Sequence, residues 1–186
     1  MGKGDKEGMP DSNITKKALA ASLKELMQTK PLSKISVGDI CEKCGMNRKS
    51  FYYHFCDKYD LVNWIFDNGF GEICSREDYS DEFENMCNYF YSERVFYRNA
   101  LQITGQNSFR DYFRQQLHPV LKNLVGDMLE REDDTEFLVT FFADGIVSTV
   151  IRWLNEPDPE PPEVLVGRVR RTMITISKAI VTTYKD

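Results

Sequence analysis

Two short helices separated by one tight turn are predicted between residues 36 and 55. Ser36 and Asp39 have the spacing of a capping box, in which each side chain accepts a hydrogen bond from the other residue's backbone N–H. Gly45 predicts the end of the first helix, because glycine adopts the left-handed conformation of a helix C-cap without steric cost. Asn47 can then cap the second helix. Two short helices joined by so tight a turn are typical of a helix-turn-helix.

Every side chain of the second helix is either aromatic or a hydrogen-bond donor. In order, these residues are Arg48, Lys49, Ser50, Phe51, Tyr52, Tyr53, His54 and Phe55. Phe51 and Phe55 are four residues apart and are predicted to point into the core together. The polar side chains then lie on the outer face, where they suit a surface that meets phosphates and base edges. An aromatic cluster packed against the next helix is the alternative, and it applies best to Tyr53.

The formal net charge of −5 is unevenly distributed along the chain. Residues 12–58 contain nine lysines and arginines against four acidic residues, a net charge of +5, so the rest of the chain carries −10. A compact basic segment in an acidic protein can be the binding surface for a polyanion, although a solvated helix face gives the same count.

The segment also carries a dense motif. It reads Ile35-Ser36-Val37-x-Asp39-Ile40-Cys41-x-x-Cys44-Gly45-Met46-Asn47-Arg48-x-Ser50-Phe51-Tyr52-Tyr53-His54-Phe55-x-x-Lys58-x-x-Leu61. With the preceding helix, residues 13–64 resemble the DNA-binding region of the TetR family of bacterial transcription regulators. That resemblance implies an all-α fold with an N-terminal helix-turn-helix and a C-terminal helical domain for ligand binding and dimerisation.

The resemblance also assigns roles to individual residues. Contacts with the DNA backbone are implied for Ser36, Tyr52, His54 and Lys58. Contacts in the major groove are implied for Arg48, Lys49, Ser50 and Tyr53. We expect Lys16, Lys17 and Asn47 on the same DNA-binding surface. Lys49 stands where the family commonly has a small residue, so the preferred base sequence does not transfer.

The five cysteines do not predict a metal site or a disulfide framework. Cys41 and Cys44 form a lone CxxC, and a zinc site would need two more ligands, for which Cys56 and His54 are the nearby candidates. Cys41 and Cys44 occupy positions where the resembling family usually has alanine, which favours packing. We therefore expect no metal and no cofactor, while a redox role for the CxxC stays open.

The chain is predicted to divide into a flexible tail (1–11), a helix-turn-helix domain (12–57) and a helical regulatory and dimerisation domain (58–186). The tail contains no apolar segment of a secretory signal, so a cytoplasmic location with free thiols is expected. The 137–154 segment is apolar around most of a helix, but Asp144 and Arg152 interrupt it and argue against a membrane span. Such a helix needs covering on more than one side.

In the TetR family the last two helices pair with a second subunit, and the equivalent pair here looks similar. The predicted dimer interface comprises Phe141, Gly145, Ser148, Thr149, Arg152, Val169, Met173, Ile176 and Ile180. The resemblance also implies an effector, a small molecule or a protein, held in the C-terminal domain. The proposed pocket residues, each of which also suits a plain core, are Phe66, Phe90, Tyr97, Phe109, Tyr112, Phe113, Phe142 and Trp153.

The sequence therefore predicts a regulator that binds a near-palindromic operator in double-stranded DNA as a homodimer. The residues do not distinguish repression from activation. Residues 153–155 and 162–163 loosely resemble family members near the regulators of dihydroxyacetone kinase operons. An enzyme is not expected, because His54 and His118 are the only histidines and no catalytic motif is present. A helical protein–protein adaptor that uses the apolar 137–154 helix is the alternative.

Overall fold

Nine α-helices and one short 3-10 turn make up the part of the chain that the computed structural model describes, residues 9–74, 82–105, 107–125 and 132–183. The helices are α1 (Met9–Leu26), α2 (Val37–Cys44), α3 (Arg48–His54), α4 (Lys58–Cys74), α5 (Glu82–Ser92), α6 (Arg94–Ala100), α7 (Phe109–Val125), α8 (Glu132–Asn155) and α9 (Pro162–Thr183). The 3-10 turn, Leu32–Lys34, lies between α1 and α2. These ranges contain no β-strand, and the predicted all-α class is confirmed.

The chain divides into two compact units between Gly69 and Phe70, later than the boundary suggested at position 57. Residues 58–69, the larger part of α4, belong to the first unit because their apolar side chains complete that unit's core. Leu61 and Val62 are fully buried there. The predicted domain limits therefore stay a proposal, with the first unit extended into α4.

The start of α1 differs from the prediction. Residues 1–8 lie outside the described residues, but residues 9–11, which were expected to belong to the flexible tail, already form the first turn of α1. Pro10 is compatible with this early start, since a proline in the first helical turn removes an N–H that has no partner within the helix.

The core of the first unit is built on α1 and the residue that follows it, Met27, where buried apolar residues recur every four positions. Leu19, Leu23 and Met27 are almost completely buried, as are Leu32 and Ile35 from the connection to α2. Burying each such side chain contributes about 1.5–3 kcal/mol before the entropy cost of ordering the chain. This core holds the short helices α2 and α3, which could not be stable alone.

The core of the second unit is an aromatic cluster from α5, α6 and α7. The ring centroids of Phe90 and Tyr97 are 4.5 Å apart, and those of Phe90 and Phe113 are 5.1 Å apart. The ring centroids of Phe109 and Tyr97 are 5.4 Å apart, and all four side chains are buried. Helix α8 packs along α7 with a buried face that includes Val139.

Candidate nucleic-acid interface

The turn between α2 and α3 has the geometry that the sequence predicts. The Ser36 Oγ accepts the N–H of Asp39 at 3.1 Å, and the Asp39 Oδ2 accepts the N–H of Ser36 at 2.8 Å. Gly45 ends α2 with φ 69°, in the left-handed region. The Asn47 Oδ1 accepts the N–H of Ser50 at 2.8 Å and caps α3. The predicted capping box, glycine C-cap and asparagine cap are confirmed.

Helix α3 is anchored by Phe51 and by its C-cap residue, Phe55, and it exposes its tyrosines. Phe51 and Phe55 are buried, with ring centroids 5.8 Å apart. In contrast, Tyr53 is 83% exposed and Tyr52 is 58% exposed. The alternative of a buried aromatic cluster is therefore wrong for Tyr53. His54 is half-buried and meets the edge of the Tyr53 ring at 4.9 Å.

Arg48, Lys49 and Ser50 form the first turn of α3, and the two basic side chains are exposed. The Ser50 hydroxyl donates a hydrogen bond to the Asn47 Oδ1 at 3.2 Å. The Ser50 hydroxyl can therefore accept a hydrogen bond from DNA, and the NH₂ group of the Asn47 amide can donate one. The first turn of α3 thus combines two cations with donors and acceptors at short range.

The Lys58 ammonium group makes hydrogen bonds within the protein, besides the phosphate contact that the sequence predicts. Its Nζ donates to the backbone carbonyls of Leu32 at 2.8 Å and Ile35 at 2.7 Å. Burial lowers the pKa of this ammonium group, and the nearby carboxylates of Asp57 and Asp39 oppose the shift. Two of its three N–H groups therefore hold the connection between α1 and α2 against α4, and its predicted DNA contact stays a prediction.

Lys16 has a second unexpected setting. Its Nζ lies 5.9 Å from the ring centroids of both Phe55 and Trp64, within the range of a cation–π interaction. The side chain is half-buried. The ammonium group is directed to this aromatic pair. The predicted DNA contact of Lys16 stays a prediction. Lys17, its neighbour, is exposed.

In the second unit, most of the predicted dimer residues line one groove between α8 and α9, with a volume of about 420 Å³. Those that line it are Phe141, Gly145, Thr149, Arg152, Val169, Met173 and Ile176. Ser148 is exposed on α8 and lines a different cleft. The Ile180 side chain lies outside the described residues. Phe141 is 60% exposed, so the groove presents a large open aromatic surface.

The loop between α8 and α9 is held by hydrogen bonds that fix one end of this groove. The Trp153 Nε1 donates to the Glu160 carbonyl at 2.7 Å. The Arg94 Nε donates to the Leu154 carbonyl at 3.0 Å, and the Tyr91 ring stacks on the Trp153 ring with centroids 5.7 Å apart. The groove is therefore shaped by α5 and α6 as well as by its two walls.

The residues predicted for an effector pocket do not surround one cavity in the described structure. Phe90, Tyr97, Phe109 and Phe113 pack against one another in the closed aromatic cluster, and Tyr112 lies beside it. Phe142 and Trp153 line the α8–α9 groove, and Phe66 belongs to the first unit. The effector pocket stays a prediction.

Sequence reasoning did not single out a polar cleft of about 450 Å³ in the second unit. Arg110, Arg114 and Asp144 line it, and the Arg114 Nη1 lies 3.5 Å from the Asp144 Oδ1. Such charged residues on amphipathic helices look like ordinary solvated faces in a sequence, so no signal marked them. Within residues 9–74, 82–105, 107–125 and 132–183, no three His, Cys, Asp or Glu side chains come together as metal ligands would.

Comparison with known proteins decides the family. Residues 19–65 match the model described as bacterial regulatory proteins, tetR family, and residues 77–175 match a transcriptional regulator C-terminal region. The chain belongs to the TetR family. Proteins of this family are transcriptional regulators rather than enzymes.

Several relatives of this TetR-family protein are similar over most of its length. The HTH-type dhaKLM operon transcriptional activator DhaS of Lactococcus lactis subsp. lactis is 30% identical over 129 residues, which cover 67% of this chain and 68% of that protein. A solved structure of the dihydroxyacetone kinase operon activator DhaS has a TM-score of 0.64 at 24% identity, covering 90% of this chain and 98% of the other. A TetR regulator from Streptococcus agalactiae has a TM-score of 0.60 at 20% identity, with 86% and 93% covered. These structures support the fold, an N-terminal helix-turn-helix with a helical C-terminal domain.

Proposed function

We propose that this TetR-family protein binds a near-palindromic DNA operator as a cytoplasmic homodimer, and that an effector in the C-terminal unit controls this binding. The observation that carries the DNA-binding part is the division of α3 into two faces. Phe51 and Phe55 anchor one face in the core, while Tyr52 and Tyr53 stand exposed on the other, beside two exposed basic residues. Exposed tyrosines contribute little to folding, but they can donate hydrogen bonds to phosphates and base edges.

On DNA, α3 would lie in the major groove with its first turn against the base edges. Arg48 and Lys49 would bind base edges in the major groove, and Ser50 and Tyr53 would add further contacts there. Tyr52, His54 and Ser36 would bind phosphates, together with the remaining N–H of Lys58. Lys16 and Lys17 would add to this salt-dependent, sequence-independent part of the affinity.

The homodimer is supported by the groove between α8 and α9. Phe141 is largely exposed, and a Cβ atom at Gly145 would meet no other atom within 4 Å, so a second helix could approach closely there. Residues 134–155 form a helix that could span a membrane by length and composition only, and 39% of its most apolar 18-residue window is buried within the chain. A second copy of the same helix pair would cover the remainder.

The alternative, a foreign protein seated in the same groove, is favoured by no separate observation. A light-scattering measurement of the purified protein distinguishes them, since the adaptor requires a monomer on its own. No feature of the fold determines whether the protein represses or activates transcription. The relative from Lactococcus is described as an activator, so the proposed role is not restricted to repression.

Two substitutions on α3 test the DNA-binding role. Tyr52→Ala should weaken binding to specific and scrambled duplexes alike, because a phosphate contact carries no sequence information. Lys49→Ala should instead change which base is preferred, at a cost of about 1–3 kcal/mol for the original operator. Fluorescence anisotropy on operator and scrambled duplexes measures both effects. Val120→Ala, an exposed change on α7, is the control. Unchanged affinity in both α3 variants would refute the assignment.

A further inference from the structure

Gly38 is a glycine that the backbone of α2 does not require. It is the second residue of that helix, and its φ is not among the positive values that Gly45 and Gly105 adopt. Glycine weakens a helix relative to alanine, because it loses more conformational freedom on folding. A reason for the glycine has to come from outside the backbone of α2.

That reason is the side chain of Arg48, the first residue of α3. A Cβ atom at Gly38 would lie 2.6 Å from the Arg48 Nη2, 3.3 Å from the Ser36 Oγ and 3.4 Å from the Arg48 Cζ. The first of these distances is far inside the optimal separation of non-bonded atoms, about 3.5–4.0 Å. The guanidinium group therefore occupies the space where any other residue at position 38 would begin its side chain.

The charge of Arg48 also influences two titratable residues of α2. The positive charge of Arg48 is one of the influences that lower the pKa of Asp39, after the two hydrogen bonds with Ser36 and the charge of Lys30. It also opposes the burial that raises the pKa of the Cys41 thiol. The guanidinium group thus lies beside the first half of α2, although Arg48 as a whole remains exposed to solvent.

We propose that Gly38 is a positioning residue for operator recognition, because its missing side chain lets Arg48 lie on α2 and thereby sets where the guanidinium group meets a base edge. The proposal rests on the proposed function of α3. An arginine recognises guanine through two parallel hydrogen bonds from a rigid planar group, so a small displacement of that group breaks the pair. Gly38 would then determine specificity without touching DNA.

The substitution Gly38→Ala separates this positioning role from a purely structural one. A purely structural role predicts a lower melting temperature, whereas the positioning role predicts a lower operator affinity without a lower melting temperature. Alanine should leave the melting temperature unchanged or raise it, through its higher helix propensity. It should also push the flexible end of Arg48 off α2. We expect the affinity for the operator to fall about tenfold, equivalent to about 1.4 kcal/mol, while the affinity for scrambled duplex is unchanged.

The experiment compares four full-length variants by thermal melting and by anisotropy on operator and scrambled duplexes. They are Gly38→Ala, Arg48→Ala, the double variant, and Gly71→Ala as the matched control in α4, where a Cβ atom would meet nothing within 4 Å. Measurements at low salt keep the weaker complexes in range, since phosphate contacts strengthen there. In the Arg48→Ala background, Gly38→Ala should cause no further loss of operator affinity. Gly71→Ala should likewise leave the melting temperature unchanged or raise it, and it should leave the affinity for both duplexes unchanged.

Two results would overturn the inference while leaving the proposed function intact. One is an operator affinity that Gly38→Ala does not change. The other is an equal loss on Gly38→Ala with and without the Arg48 side chain, which would mean that Gly38 acts by another route. A wild-type protein that binds operator and scrambled duplexes equally would overturn both the proposed function and this inference.

Discussion

Truncating Phe141 to alanine should weaken the proposed homodimer severely while leaving each protomer folded. Phe141 lies on the wall of the α8–α9 groove and is 60% exposed in the single chain. A phenylalanine can bury about 150–250 Å², so about 120 Å² of its surface is still open. At about 25 cal/mol per Å², covering that surface is worth about 3 kcal/mol for each protomer.

A twofold interface contains the residue twice, so the upper estimate for the dimer is about 6 kcal/mol. Relaxation around the alanine recovers part of this, and we expect a net loss of about 2–4 kcal/mol. The dimer dissociation constant should then rise by a factor of about 30 to 1,000. Protomer folding should be little affected, because 60% of the Phe141 side chain is exposed in the single chain.

Sedimentation equilibrium over a range of protein concentrations measures the dissociation constant, and circular dichroism checks that the helices persist. Val120→Ala is the control, since Val120 is an apolar residue on α7 that is 48% exposed and does not line the groove. A dissociation constant for Phe141→Ala within about threefold of the wild-type value would refute the reasoning, since about 2 kcal/mol corresponds to a much larger change. So would a wild-type protein that is monomeric at every concentration.

Two further predictions concern the first unit. Lys58→Met should lower the free energy of unfolding by about 1–3 kcal/mol in urea titrations, because two loop carbonyls lose their charged donor, and an unchanged urea midpoint would contradict this. Its effect on DNA binding should therefore come with a loss of stability that Tyr52→Ala does not show. The bonds with Ser36 hold the pKa of Asp39 below its ordinary value, so this contribution to stability is present above the ordinary pKa and is lost as the pH falls through the lowered pKa. Urea midpoints at acidic pH should accordingly fall less in Asp39→Asn than in the wild type, and parallel curves would rule that out.

The helix-turn-helix could be predicted closely because its signals are local. A capping box and a glycine or asparagine cap each act over three or four residues, so Ser36, Asp39, Gly45 and Asn47 report directly on the backbone around them. The same locality explains the correct division of α3, since two phenylalanines four apart must lie on one face.

Contacts between distant positions could not be predicted in this way. The bonds from Lys58 to the carbonyls before α2 join residues 23 and 26 positions apart, and a lysine at a helix start looks in the sequence like an ordinary surface cation. The contact between Gly38 and Arg48 likewise depends on the packing angle of two helices. Each of these residues has a role inside the protein besides any role on DNA.

The aromatic residues of the second unit show a different limit. Periodicity identifies Phe90, Tyr97, Phe109 and Phe113 as buried, but a tight cluster and the lining of a cavity give the same pattern in a sequence. The choice between them depends on how the rings fit together in space. The exposed apolar face of α8 was easier to predict, because more of that helix is apolar than one core could cover.

Capturing fragments of the source organism's DNA with the purified full-length protein, followed by sequencing, tests the central claim most directly. If two copies present α3 to adjacent major grooves, the enriched fragments should share an inverted repeat. The centres of its half-sites should lie about 10 base pairs, or about 34–36 Å, apart or at a multiple of that spacing. Fragments that show no enrichment over the input DNA, or that share no inverted repeat, would contradict the account.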